Sequence, residues 1–472
     1  MKKILSILLT MVLVFGLCAC GGSKTEETAA TPETQAVLQI GYGREKIMPD
    51  DPVPLGGYGE TSNRFSTNNL DYLYGTCIAA SDGTDTVLFF TVDMILPVDS
   101  WVTELRQMIK AELNIPEENI LVSYTHTHSA PDPWSSEPVM KTYRTKWMKM
   151  LTKAAKDAVA DMAPATIYGT TTELEGMNFI RHYVLNDGRQ GSGSAFMKTG
   201  TPVGHTEPND PQMLLVKFDR EGDKQDVLLM NWQAHPCFTG GMYKTDLSAD
   251  YISVVRKELE LETEMHFAFF QGAAGNHNTN SEIESEAHNL NNDKYGKKLA
   301  EAALEAMQNM QPISGTDVKI TRVDLEYNHN HSDDDKISIA NEVVNIWQSQ
   351  SYEAADAYAL ANGLSSPHHA RAIRDNVKRP QKGTMELDAV SIGGFAFVTA
   401  PYEMFGSHGT YIKTNSPFEL TMVFECSNQY RAYIPTAEAY DYGCYEGWTA
   451  VYDRGAGEAA AEKFVEMLNS LK

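Results

Sequence analysis

Asn119-Ile120-Leu121-Val122-Ser123-Tyr124-Thr125-His126-Thr127-His128-Ser129-Ala130-Pro131-Asp132 reads as a short buried strand that runs into a polar cluster. Upstream, Thr86-Val87-Leu88-Phe89-Phe90-Thr91-Val92 is a second continuous apolar run, ending at Asp93. Between them Leu105, Met108, Ile109 and Leu113 recur at helical spacing, on one face. Strand, helix and strand within this compass predict a right-handed crossover joining a parallel pair. Two imidazoles two residues apart at a strand mouth face the same side. Imidazole is the commonest protein metal ligand and titrates near neutral pH.

The same arrangement recurs. Residues 227–232 are apolar and lead into Gln233-Ala234-His235-Pro236, and 267–270 lead into Gln271-Gly272-Ala273-Ala274-Gly275-Asn276-His277-Asn278. Residues 395–400 lead into Pro401-Tyr402-Glu403, and 422–424 into Glu425-Cys426-Ser427-Asn428-Gln429-Tyr430. Polar chemistry thus gathers just past the carboxyl ends of buried strands, the edge at which open α/β sheets bind ligands. Further strands are expected at 213–218, and helices at 147–162, 250–261, 294–310 and in segments between 337 and 376, with Pro164, Pro312 and Pro380 as punctuation. The expected fold class is α/β: a mixed, largely parallel sheet flanked by helices, with the site at strand carboxyl ends.

Lys2 and Lys3 precede an apolar run at 4–17 that is too short to span a bilayer, which is the pattern of a signal peptide. Leu17-Cys18-Ala19-Cys20 resembles a bacterial lipobox, which implies cleavage before Cys20 and a lipid on its sulfur. Residues 21–36 have no apolar periodicity and read as a tether, with a reach of up to about 50 Å. The expected organisation is a signal at 1–19, a lipid-anchored tether at 20–36 and one large domain at 37–472, on an exported lipoprotein held at the cell surface. A net charge of −24 disfavours a basic nucleic-acid groove. Cys77, Cys237, Cys426 and Cys444 follow the tether; paired disulfides and buried free thiols are both open, and the absence of a Cys-x-x-Cys pair disfavours a thiolate metal knot.

These segments together resemble the catalytic domain of the neutral/alkaline ceramidases. The likeness is carried by Ile40-Gly41-Tyr42-Gly43, Pro54-Leu55-Gly56-Gly57-Tyr58-Gly59, Thr125-His126-Thr127-His128-Ser129, His235-Pro236, Ser248-Ala249-Asp250-Tyr251 and Tyr445-Glu446-Gly447, in the family's order. The resemblance implies a zinc ion on His126, His235, Glu403 and Tyr433, the last from Asn428-Gln429-Tyr430-Arg431-Ala432-Tyr433. His128, Arg181 and Tyr445 match residues that line the scissile amide. Two imidazoles and a carboxylate without sulfur suit a catalytic zinc, which lowers the pKa of its water and polarises a carbonyl. Asp93, past a strand end, is expected to orient one of the imidazoles.

Three departures stand out. The family's Gly-Asp-Val-Ser-Pro-Asn is Gly275-Asn276-His277-Asn278-Thr279-Asn280 here, so the serine assigned as nucleophile falls on Asn278. An amide cannot attack a carbonyl, but Asn278 can donate a hydrogen bond to substrate or oxyanion. Ala130-Pro131-Asp132 replaces Gly-Pro-Gly, and the family's additional β-sandwich domain is not expected after Gly447. The expected function is hydrolysis of the amide of an N-acyl lipid, releasing a fatty acid and a sphingoid base. Two alternatives share the anchor: a zinc hydrolase of another amide or ester, and a solute-binding lipoprotein.

Overall fold

Three strand–helix–strand crossovers organise the molecule. The computed structural model describes residues 37–58, 64–241, 243–283 and 290–472; the expected signal segment, Cys18, Cys20 and the tether lie outside them. Thr86–Val92 passes through helix Asp99–Leu113 to Ile120–Tyr124, and Val227–Trp232 passes through helix Tyr251–Thr263 to His266–Gln271. Phe395–Thr399 passes through helix Gly406–Asn415 to Leu420–Phe424. In each unit the two strands pair in parallel.

The first two units form the opposite edges of a nine-stranded sheet. Its order is His266–Gln271, Val227–Trp232, Gln212–Arg220, Ala163–Glu173, Gln39–Lys46, Tyr74–Ser81, Thr86–Val92 and Ile120–Tyr124, with Gln311–Ile313 added against Ala163–Glu173. The third unit forms part of a four-stranded sheet ordered Val318–Asn328, Lys382–Ile392, Phe395–Thr399, Leu420–Phe424. The sheets are mixed and flanked by helices, as expected. Within these two sheets, however, parallel pairing is confined to the crossover units, and the interior of the large sheet is antiparallel. A parallel pair needs a crossover helix, and the interior strands are joined without one or pair with distant segments.

The two sheets lie face to face. Phe270 stacks on Phe424 at 4.0 Å between ring centroids, and Phe89 meets Phe397 at 5.0 Å. Strand alternation explains how one run serves two layers. Phe89 and Leu121 enter the core between the sheets. Leu88, Phe90 and Val122 point the other way, into the core beneath helices Asp99–Leu113 and Pro138–Ala160. Helices Tyr251–Thr263 and Asn292–Met307 cover the rest of that face, and Gly406–Asn415 with Ala456–Leu471 cover the small sheet. Helices therefore enclose a pair of sheets.

At one end the sheets are stitched by hydrogen bonds: Asn428 N donates to Val122 O at 2.7 Å, Glu425 N to Gln271 O at 3.1 Å, and the Ser427 hydroxyl to Ser123 Oγ at 2.8 Å. This stitching brings the carboxyl ends of all three crossovers to one place. Three helices, Ile337–Ser349, Tyr352–Ala361 and Pro367–Asn376, follow one long strand of the second sheet and precede the other in sequence, and form a small bundle with its own apolar core. Cys77, Cys237, Cys426 and Cys444 are free thiols. No helix among the described residues is long and apolar enough to cross a membrane.

Candidate metal centre

His126 follows the strand Ile120–Tyr124 with φ +64°. A non-glycine residue in the left-handed region costs on the order of 1–3 kcal/mol and persists where its surroundings over-determine it. Here Thr125 N donates to Val92 O at 2.9 Å and His126 N to Met94 O at 3.0 Å. Asp250, Cys426, Asn428 and Ala432, in loops at this same end, also have positive φ.

The imidazoles are oriented by main-chain carbonyls. His126 Nδ1 lies 2.8 Å from Ile95 O, and His235 Nδ1 lies 3.1 Å from His277 O. A carbonyl only accepts, so each Nδ1 carries the proton and each Nε2 presents a lone pair. Asp93, expected to hold one of these rings, is elsewhere: its carboxylate accepts from Tyr74 N at 2.8 Å and from Arg256 at 2.9 Å. The buried Arg256 guanidinium on the crossover helix is the stronger claim on that charge.

Glu403 lies past Phe395–Thr399, where a two-residue parallel bridge sets it opposite Tyr433. Its Oε1 accepts from the Tyr430 hydroxyl at 2.8 Å. Its Oε2 sits 3.3 Å from both His126 Nε2 and His235 Nε2. His128 Nε2 is a further 3.3 Å from His126 Nε2, and ring nitrogens of the three histidines lie within 4.8 Å of one another. All four residues are buried. His235 Nε2 and Glu403 Oε2 have no hydrogen-bond partner.

Burial pushes His128 well below the usual imidazole range, with the neighbouring His126 adding to it, and burial holds His235 down to about 4. Two imidazole lone pairs and a carboxylate thus converge without a proton donor among them. An unsatisfied buried acceptor costs about 1–3 kcal/mol, and a divalent cation satisfies all three at once. The donor set, nitrogen and oxygen without sulfur, fits zinc.

Tyr433 lies beside this centre. The Arg181 guanidinium lies over its ring, 5.4 Å from the centroid. Burial first, then the charge of Glu403, pushes the Tyr433 phenol well above its usual range. Tyr445 is 40% exposed, with its ring 5.8 Å from that of Tyr433. Asn278 lies on a two-residue strand paired with Phe179, adjacent to His277 whose carbonyl holds His235. Asp250 caps its helix and accepts from Thr239 N at 2.6 Å. The next residue, Gly240, leans on His128, where an added Cβ would lie 2.9 Å from the His128 Cβ.

Tyr430, one turn of the same motif before Tyr433, was not anticipated as the partner of Glu403, although Asn428-x-Tyr430-x-x-Tyr433 contains both. His182 and Glu446 were also missed. Glu446 is paired with Arg181, and its Oε2 lies 2.7 Å from His182 Nε2. With Cys444 they make a second buried group of metal-capable side chains.

No family model and no curated protein matches this sequence. Solved structures do. The neutral ceramidase from Pseudomonas aeruginosa superposes with a TM-score of 0.70 at 16% identity, over 92% of this chain and 74% of that one. The chain has the neutral ceramidase fold. A ceramidase complexed with C2 gives a TM-score of 0.68 at 15% identity, over 92% of this chain and 75% of that one. The ceramidase fold accounts for the two sheets and for the end at which the three crossovers meet.

Proposed function

We propose that the chain is a zinc-dependent amidohydrolase that cleaves the amide of an N-acyl lipid of the ceramide class, releasing a fatty acid and a sphingoid base. The observation that carries this reading is Glu403 Oε2, 3.3 Å from two imidazole nitrogens and lacking any donor. The ceramidase fold around it supports the substrate class. His126, His235 and Glu403 would hold the metal, with Tyr433 as the fourth candidate ligand. When bound, zinc supplies a Lewis acid for the carbonyl and a water of lowered pKa.

The chain's own residues supply the rest. The Tyr430 hydroxyl fixes one oxygen of Glu403, which leaves the other for the metal. His128, neutral because it is buried, takes a proton from the attacking water and returns it to the leaving nitrogen. Tyr445, at the exposed edge, donates a hydrogen bond to the developing oxyanion, and Asn278 supplies a second donor from the position of the family's serine. No acyl-enzyme forms at Asn278, so water is the nucleophile throughout. The asparagine also favours a second reading, in which the same centre hydrolyses a different amide or an ester. We place the protein outside the cytoplasm, on a membrane through lipidated Cys20.

The test is fatty-acid release from N-acylsphingosine by the purified protein, with and without chelator and after zinc is restored. Release that chelator abolishes and zinc restores is the expected result. Chelator-insensitive release sinks the metal mechanism. Stoichiometric zinc without release from N-acylsphingosine moves the assignment to the second reading.

A further inference from the structure

Beside the metal centre lies a buried charged network that the steps above do not use. The Glu446 side chain is 1% exposed and that of His182 is 0% exposed. Arg181 Nε donates to Glu446 Oε1 at 2.6 Å and a second guanidinium nitrogen pairs with the same oxygen. His182 Nε2 meets Glu446 Oε2 at 2.7 Å, and the Tyr442 hydroxyl lies 3.3 Å from His182 Nδ1. Both carboxylate oxygens are therefore committed.

We propose that Glu446 is a positioning residue, clamped by His182, which holds the Arg181 guanidinium over the Tyr433 ring and so fixes Tyr433 at the metal centre. The proposal rests on the reading of Tyr433 as a zinc ligand. Arg181 is the link because it is tied on three sides. Its main-chain N donates to Asn276 O at 2.9 Å, and a guanidinium nitrogen donates to Gly275 O at 2.8 Å. That loop continues into His277, whose carbonyl holds His235. The remaining side of the guanidinium faces Tyr433. The planar fork can bond Glu446 and the loop carbonyl while its face stacks on the Tyr433 ring, and an ammonium cannot. Without Glu446 the half-buried cation would lose its counter-charge next to a divalent ion, and would turn away from Tyr433.

A group acting on a ligand from outside the coordination sphere typically changes metal affinity by about 10–100-fold. The test is a double-mutant cycle on zinc affinity, measured by competition with a chromophoric chelator on the full chain: wild type, Glu446→Gln, Tyr433→Phe and the double variant. Glu446→Gln is expected to weaken zinc by about 10–100-fold when Tyr433 is present, and by less than about twofold when it is phenylalanine. Equal factors in both backgrounds would overturn the proposal, since a merely structural role does not depend on Tyr433. Arg181→Lys is expected to behave as Glu446→Gln does. If circular dichroism shows Glu446→Gln unfolded, His182→Gln replaces it in the same cycle. Wild type that binds no zinc overturns the zinc reading and this proposal together; zinc binding with additive effects overturns this proposal alone.

Discussion

Among the described residues, two buried groups of metal-capable side chains lie at the same end, and they differ in one respect. Around Glu403 the partners are acceptors: Glu403 Oε2 lies 3.3 Å from both His126 Nε2 and His235 Nε2, and it and His235 Nε2 have no donor. Around Glu446 the books are closed. Arg181 and His182 occupy both carboxylate oxygens, while the Cys444 thiol, pushed up by burial, donates to Ala439 O at 3.4 Å and accepts from Gly447 N at 3.4 Å. Residue types alone would nominate both groups. The balance of donors and acceptors nominates only the first, because a cation is needed where lone pairs converge and is excluded where protons already fill them.

The largest effect that tests this contrast is at Glu403. Glu403→Ala is expected to abolish zinc retention and to lower turnover by at least about 100-fold, read by metal analysis and fatty-acid release. Near-normal zinc in that variant would remove the contrast. Glu446→Gln breaks a buried charge pair without removing a primary metal ligand. It is expected to cost about 3–5 kcal/mol of stability in urea unfolding, while one zinc per chain still binds at saturating metal.

The pH response sharpens the same point. His235 is held down to about 4 by burial and then by the Arg181 charge, against about 6.5 in the unfolded chain. The folded state therefore binds fewer protons than the unfolded one between those values. In chelated protein the stability present above pH 6.5 is lost as pH falls towards 4, by on the order of 3 kcal/mol. Unfolding curves at several pH values check this, and His235→Asn should flatten the slope. An unchanged slope would place the loss elsewhere. The smallest expected effect is Cys444→Ala, with zinc content and turnover unchanged and a stability cost of about 1 kcal/mol. Loss of a metal in that variant would make the second group a metal site.

What was legible in the sequence follows from these arrangements. The crossover strands are buried on both faces, so they appear as apolar blocks, and each block ends where polar residues gather. Strand Gln39–Lys46 was not legible as a strand. Its Gly41 and Gly43 lie so close to helix Pro138–Ala160 that an added Cβ would fall 1.9 Å from Ala158 O and 2.1 Å from Ala154 O. The glycines answer to helix packing yet read locally as turn formers. Strands Val318–Asn328 and Lys382–Ile392 pair directly, but the three-helix bundle separates them in sequence and the first of them is half solvated, which hides both. His126, His235 and Glu403 stood out because each follows a strand. His182 and Glu446, 264 residues apart, have no local signature, and only the fold joins them. Asp93 misled for the converse reason: its strand-end position was suggestive, but Arg256 claims it.

The most direct test of the central claim is zinc stoichiometry, by mass spectrometry under native conditions, across wild type, Glu403→Gln and Cys444→Ala. The account predicts one zinc per chain in wild type and in Cys444→Ala, and none in Glu403→Gln. Zinc retained by Glu403→Gln, or lost from Cys444→Ala, would contradict it.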